Sequence, residues 1–254
     1  MAAPKAKPAS TAVGKAKVTN LPVDLKAQRE AEVAAMKARL AVPSGNQIKA
    51  KKGVFIMPDG GTAEEIDVII VDFISRNEYY ENGYDETNLV PPNCFAIGLE
   101  PTGLCPSENS PDCQGESCVT CWAGQWKSAR TGNGKACNNN RWLAVRAADS
   151  EPDAPLMKVK VTATALKSFD GYVASLARAG VVPRDVITHV TLDPNLEYAS
   201  LRFSDPVPCT DAQMAISYAR RGDAMELLMV EPDVSGFVKA VPKAKGKAPA
   251  RKAA

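Results

Sequence analysis

From Gly53 onward the apolar residues fall at the spacing of strands. "GVFIMPDGG" reads as a strand and turn, and "EEIDVIIVDFISRNEYY" as one long strand, β-branched from Ile66 to Ile74. "NCFAIG" and "RWLAVRAA" predict further strands, and "MKVKVTATAL" alternates apolar and polar residues as a half-solvated strand does. A helix is predicted from Phe169 to Ala179, with Ser168 as its N-cap and Gly180 just past its end. "VITHVTLD", "SLRFS" and "AMELLMV" read as the last strands, with a short helix from Asp211 to Arg221 between them. Upstream, Asp24 can cap a helix over Leu25 to Leu40 that is rich in Ala, Lys, Arg and Glu but sparse in apolar positions.

This order does not alternate strand and helix, so a parallel sheet is not expected. It predicts a mainly β (α+β) fold: an OB-like β-barrel with a loop insertion and a few peripheral helices. The expected organisation is a low-complexity basic tail over 1–20, a helix and linker over 21–52, the barrel domain over 53–238 with its loop at 94–141, and a second basic tail over 239–254.

Charge sharpens that division. The whole chain has 31 Lys and Arg against 29 Asp and Glu, a formal net charge of +2. Segments 1–23 and 239–254 hold ten of the basic residues and no acid, so the body is acidic. That excludes a uniformly basic protein of the histone or ribosomal kind. A hydrophobic content of 45% excludes chain-wide disorder. There is no run of 18 apolar residues to span a membrane and no apolar leader for secretion, so an intracellular, reducing setting is the expectation.

In such a setting seven cysteines read first as metal ligands or free thiols. Six of the seven, Cys94, Cys105, Cys113, Cys118, Cys121 and Cys137, lie within one Gly-, Pro- and Asn-rich stretch. Cys118 and Cys121 form a C-x2-C knuckle, which lets one turn aim two thiolates at one ion. Cys137 is a good third ligand, and Cys94, Cys105 or Cys113 could be the fourth. Four thiolates favour one structural Zn2+ over a hard ion, and a long irregular loop needs a staple. The competing accounts are an iron–sulfur cluster, a redox dithiol and plain thiols. The only histidine, His189, is remote in sequence from the cluster.

The same stretch carries all three tryptophans, Trp122, Trp126 and Trp142. Between residues 117 and 148, Lys127, Arg130, Lys135, Arg141 and Arg146 stand with no Asp or Glu. Indoles beside cations are the chemistry of single-strand binding, where bases stack and phosphates are neutralised. Tyr79, Tyr80 and Arg76 at the end of the long strand could extend that surface. The alternatives are that the cations offset the charge of the thiolates and that the rings are a small core under the loop.

The segments "VIIVDFISRNEYYENGYDETNLVPPNCFAIG", "PSENSP", the C-x2-C and "GKACNNNRWLAV" together resemble a family of phage-encoded single-stranded DNA-binding-like proteins. "FDGYVASLARAGVVPRDVITHVTLDPNLEYASLRF" resembles its C-terminal half, so the likeness spans roughly residues 53–230. The resemblance implies Cys94, Cys118, Cys121 and Cys137 as the zinc ligands, with Cys105 and Cys113 as extras. It implies single-stranded DNA and phage replication proteins as partners, in replication or recombination. The chain departs from replicative single-strand binders in ending basic, where those end acidic. A virion-associated structural protein with a zinc module is the alternative. An enzyme is not expected: Asp67, Asp72, Glu78 and Asp85 lie close in sequence, but no spacing singles out a catalytic pair.

Overall fold

The computed structural model describes residues 25, 28, 29, 32, 46–84 and 90–237. The chain divides into two compact units between Pro43 and Ser44. In the first, Leu25, Gln28, Arg29 and Glu32 are helical, and the rest of the helix expected over Leu25–Leu40 lies outside the described residues. So do both basic tails and Asp85.

The second unit is mainly β. Its strands are β1 Gln47–Lys51, β2 Val54–Ile56, β3 Thr62–Ala63, β4 Glu65–Tyr79, β5 Cys94–Gly98, β6 Cys137–Ala147, β7 Met157–Val161, β8 Val186–Leu192 and β9 Leu201–Pro208. Its helices are α1 Leu166–Arg178, α2 Asp211–Ala219 and α3 Arg221–Met229. The strands form a single sheet curled into a half-barrel, ordered β3-β2-β1-β7-β6-β4-β8-β9, with β5 added to β4. β1 and β7 run parallel, and the other paired strands antiparallel. The sheet therefore begins at Gln47, ahead of the expected boundary at Gly53.

Strand β4 is the axis of this sheet. Its β-branched run suits a strand buried on both faces. One edge pairs with β6 from Val68 to Tyr79, with the register shifting between Ile70 and Asp72. The other edge is shared: β8 pairs with Glu65–Val68 and β5 with Ser75–Tyr79. Each face of the sheet carries its own core. On one, Ile66, Val68, Ile70, Leu143, Val145, Val159 and Val161 meet Phe169, Tyr172 and Leu176 of α1. Phe169 makes edge-to-face contacts, at 5.1 Å, with both Phe73 and Phe203. On the other, Val71, Ile74 and Ala144 meet Ala224 and Leu228 of α3, with Trp142 packed at the margin.

Two expectations are corrected. "AMELLMV" is the body of helix α3, not a strand. Ala, Met, Glu and Leu are among the strongest helix formers, and Ala224 and Leu228 stand four residues apart on the buried side. Helix α1 begins at Leu166 with Ala165 as N-cap, so Ser168 lies inside it. Leu166 packs on the first core one turn before Phe169, and that contact extends the helix backwards. Its end is as expected. Gly180 takes φ +71°, its N–H donates to Ala177 O, and Val181 N–H donates to Leu176 O. That pair of bonds closes the last turn and needs the left-handed conformation glycine adopts without strain.

Candidate metal centre and nucleic-acid surfaces

Between Gly98 and Cys137 the chain has only two single-turn 3-10 segments, at Pro101–Gly103 and Trp122–Gly124. It is held to the sheet by backbone bonds, Ser107 N–H to Phe95 O and Asp112 N–H to Asn93 O, and within itself by Cys118 N–H to Leu104 O. Leu104 and Ala123 are its buried anchors. Gly98 makes room for the first: a Cβ there would lie 2.8 Å from Leu104 Cδ2.

This loop and the ends of β4, β5 and β6 enclose a small cavity. Its lining includes Cys94 from β5, Cys137 from β6, and Cys118 and Cys121 from the knuckle. The space open to the centre of a water-sized sphere is about 20 Å3, enough for one small guest. Cys137 is placed by the pairing of β6 with β4, opposite Tyr79, and Cys94 is paired with the same tyrosine from the other edge. A 15-residue strand thus brings together two cysteines far apart in sequence. Among the described residues no group of three or more His, Cys, Asp or Glu is set to hold a metal ion as it stands. All four cysteines line this one cavity. Cys105 and Cys113 are exposed and do not line it, and Cys209 is a buried thiol elsewhere.

The thiols interact electrostatically. Burial raises the Cys137 thiol to about 12, and Cys118, Cys94, Cys121 and Glu78 add to the rise. Burial also raises Cys94, opposed by hydrogen bonds from the Gln114 backbone and the Ser110 side chain. It raises Cys118, opposed by a hydrogen bond from the Asn77 side chain. Three of these sulfurs are therefore kept protonated by burial and by one another. A divalent cation among them would reverse that balance. Soft sulfur donors, four in number, with polar hydrogens directed at two of them, fit a Zn2+ site in donor chemistry.

The aromatic and basic residues divide between two surfaces. On the cysteine side, Trp122 and Trp126 are 50% and 73% exposed. Trp122 meets Tyr79 edge-to-face at 5.7 Å, and Lys135 Nζ lies 5.5 Å from the Trp126 ring centre. Lys135 also donates to Asn139 Oδ1, and Asn139 Nδ2 donates to Asn77 Oδ1 at 2.7 Å. With the Asn77 contact to Cys118, these bonds link the Trp126 ring to the cysteine cavity. Lys127 and Arg130 are exposed in the turn beyond, where Lys127 takes φ +70°. Arg130 is close enough to Tyr79 to oppose the burial that raises its phenol.

Trp142 is on the other face. Paired residues share a face of the sheet and neighbours along a strand alternate. Trp142 pairs with Ile74 and with Lys160, so it shares their side, whereas Cys137, Asn139 and Arg141 point the opposite way. Three cations surround its ring: Arg76 at 5.2 Å, Lys158 at 5.4 Å and Lys160 at 5.8 Å from the centre. Its Nε1 is buried without a partner among the described residues. Arg76 is itself buried, donating to Glu78 Oε1 at 2.9 Å and to Val230 O, while Lys160 donates to Glu78 Oε2 at 2.8 Å. Tyr80 and Tyr84 meet edge-to-face nearby, and Lys160 lies 5.6 Å from the Tyr84 ring centre. Arg141, on the first face, pairs with Asp170 of α1 at 3.4 Å. Sequence reasoning thus grouped residues that the sheet separates. It also missed Lys158 and Lys160, although the alternation in "MKVKV" already put both on one side.

The acidic residues considered for catalysis have partners of their own. Asp67 meets His189 Nδ1 at 2.8 Å, Asp72 accepts from Arg221 Nε at 2.9 Å, and Glu78 holds Arg76 and Lys160.

Comparison with protein-family models, curated proteins and solved structures finds no match. The functional assignment therefore rests on the site itself.

Proposed function

We propose that this chain is a non-enzymatic single-stranded DNA-binding protein of phage replication or recombination. The observation that carries it is the exposure of Trp122 and Trp126 in a segment with no acidic residue from 117 to 148, with Lys135, Lys127 and Arg130 beside them. Bases stacked on the two indoles would each contribute about 1–3 kcal/mol, and the cations would meet phosphates. In this proposal Cys94, Cys118, Cys121 and Cys137 hold one structural Zn2+, which fixes the loop that presents the rings. Their shared cavity and chemistry support that role. The curled sheet is proposed to be an elaborated OB-type half-barrel whose surface supports the strand.

Binding single strands in preference to duplex lowers the free energy of the melted state. Titration with oligo-dT should quench tryptophan fluorescence, and affinity should fall steeply with added salt. Equal affinity for duplex and single-stranded DNA of the same length, or no quenching, would refute the assignment. Elemental analysis of purified protein should find about one zinc per chain.

A further inference from the structure

On the sheet face opposite the cysteine loop, the β1–β7 side carries lysines with no carboxylate partner among the described residues. Continuing the β1–β7 register, in which Gln47 pairs with Lys158, places Lys49 beside Lys160. Gln47, Lys49 and Lys51 alternate with the core residue Ile48 and with Ala50, so both lysines point to the Trp142 side, where they are exposed. Lys49, Lys51, Lys158, Lys160 and Arg76 thus form a row across four residue positions of β1 and β7 and onto β4. Two carboxylates face it. Glu78 is occupied by Arg76 and Lys160. Glu231 accepts from Ser107 and Asn109, which lower its carboxyl, and Arg76 nearby adds to that. Among the described residues Lys49, Lys51 and Lys158 have no carboxylate partner. Lys158 is half-buried beside Arg76, a like charge, with only the Trp142 ring against its ammonium group.

Cations held this close with no internal counter-ion favour an external anion, and a row of them favours a linear one. Lysines two apart on a strand are about 6.7 Å apart. We propose that Lys49 and Lys51, with Lys158 set by the Trp142 ring, form a second contact track for the phosphodiester backbone of the same single strand. The inference rests on the single-strand assignment made above. The track supplies charge, and the loop supplies stacking. Trp142 acts here as a positioning residue, since cations already occupy its surroundings.

The test is the salt dependence of oligo-dT binding by the full chain, read by fluorescence anisotropy of a labelled oligonucleotide. Lys49→Ala, Lys51→Ala and Lys158→Ala combined should lower the slope of log affinity against log salt by about 2, since each lost single-strand phosphate contact removes about 0.7. The double variant Lys49→Ala/Lys51→Ala changes only exposed side chains, and should lower it by about 1.4. Lys158→Arg should keep the wild-type slope. Thermal midpoints near wild type would show that the variants fold. If slope and affinity stay at wild-type values in both lysine variants while Trp126→Ala weakens binding, the track is overturned and the single-strand assignment survives. If the wild-type chain binds no oligonucleotide, the assignment falls and the track with it.

Discussion

The three tryptophans separate two uses of one side chain. Trp126 is largely in solvent, held only by Lys135, so Trp126→Ala should cost little stability and weaken single-strand binding by about 1–3 kcal/mol. Trp142 packs beside Ile74 and among three cations, so Trp142→Ala should lower unfolding free energy by about 2 kcal/mol or more. Chemical denaturation alongside oligonucleotide titration separates the two effects. Glu78 is a third diagnostic position. Its carboxylate is buried and accepts from both Arg76 and Lys160, so Glu78→Gln leaves two cations facing each other and should cost about 3–5 kcal/mol. His189 gives a pH signature. Its hydrogen bond to Asp67, with Glu65 and Asp205 nearby, raises the imidazole above its ordinary value. The stability this contributes is complete below the unfolded value of about 6.5 and is lost as pH rises through the raised folded value. The denaturation midpoint should therefore fall as pH rises above about 6.5, and His189→Gln should flatten that fall.

Among the elements, those with a local signal were legible from sequence. The β-branched run gave strand β4 its length, and Gly180 marked the end of α1. Helix α3 was not, because a short apolar run looks alike in a buried strand and a buried helix. The side of the sheet on which Trp142 falls was also hidden. It depends on the pairing of β6 with β4, which sets Trp142 opposite the distant Ile74, and a slip of one position would turn Trp142 to the cysteine side. The gathering of Cys94 and Cys137 beside the knuckle has the same long-range origin, and spacing alone left Cys94, Cys105 and Cys113 equivalent. The loop they line has few apolar anchors, chiefly Leu104 and Ala123. With the proposed Zn2+ in place, Cys137→Ser or a chelator should therefore melt the loop first. The check is faster amide exchange at residues 99–136 with the exchange of β8 and β9 unchanged.

At the scale of the whole molecule, charge is distributed against the net value. Six basic residues and no acid occupy 239–254. Deleting that segment should reduce affinity for oligonucleotide at low salt, with less effect at high salt, and leave the thermal midpoint of the sheet unchanged. Among the described residues, no helix is long and apolar enough to cross a membrane.

Strand β4 is gripped in two places along one edge, by β8 at its first residues and by β5 at its last, with β6 running along the other edge, and the register shift at Ile70–Asp72 falls between the two grips. Such a spine can fail in stages. Trp122 and Trp126 belong to the loop at the distal end, where Trp122 meets Tyr79, whereas Trp142 and the rings of Phe169, Tyr172 and Phe203 belong to the two cores further back. If the proposed Zn2+ holds the loop, heating a metal-stripped sample should give an early, partial loss of indole emission from Trp122 and Trp126, followed by a later collapse of far-ultraviolet ellipticity, and zinc should merge the two phases into one.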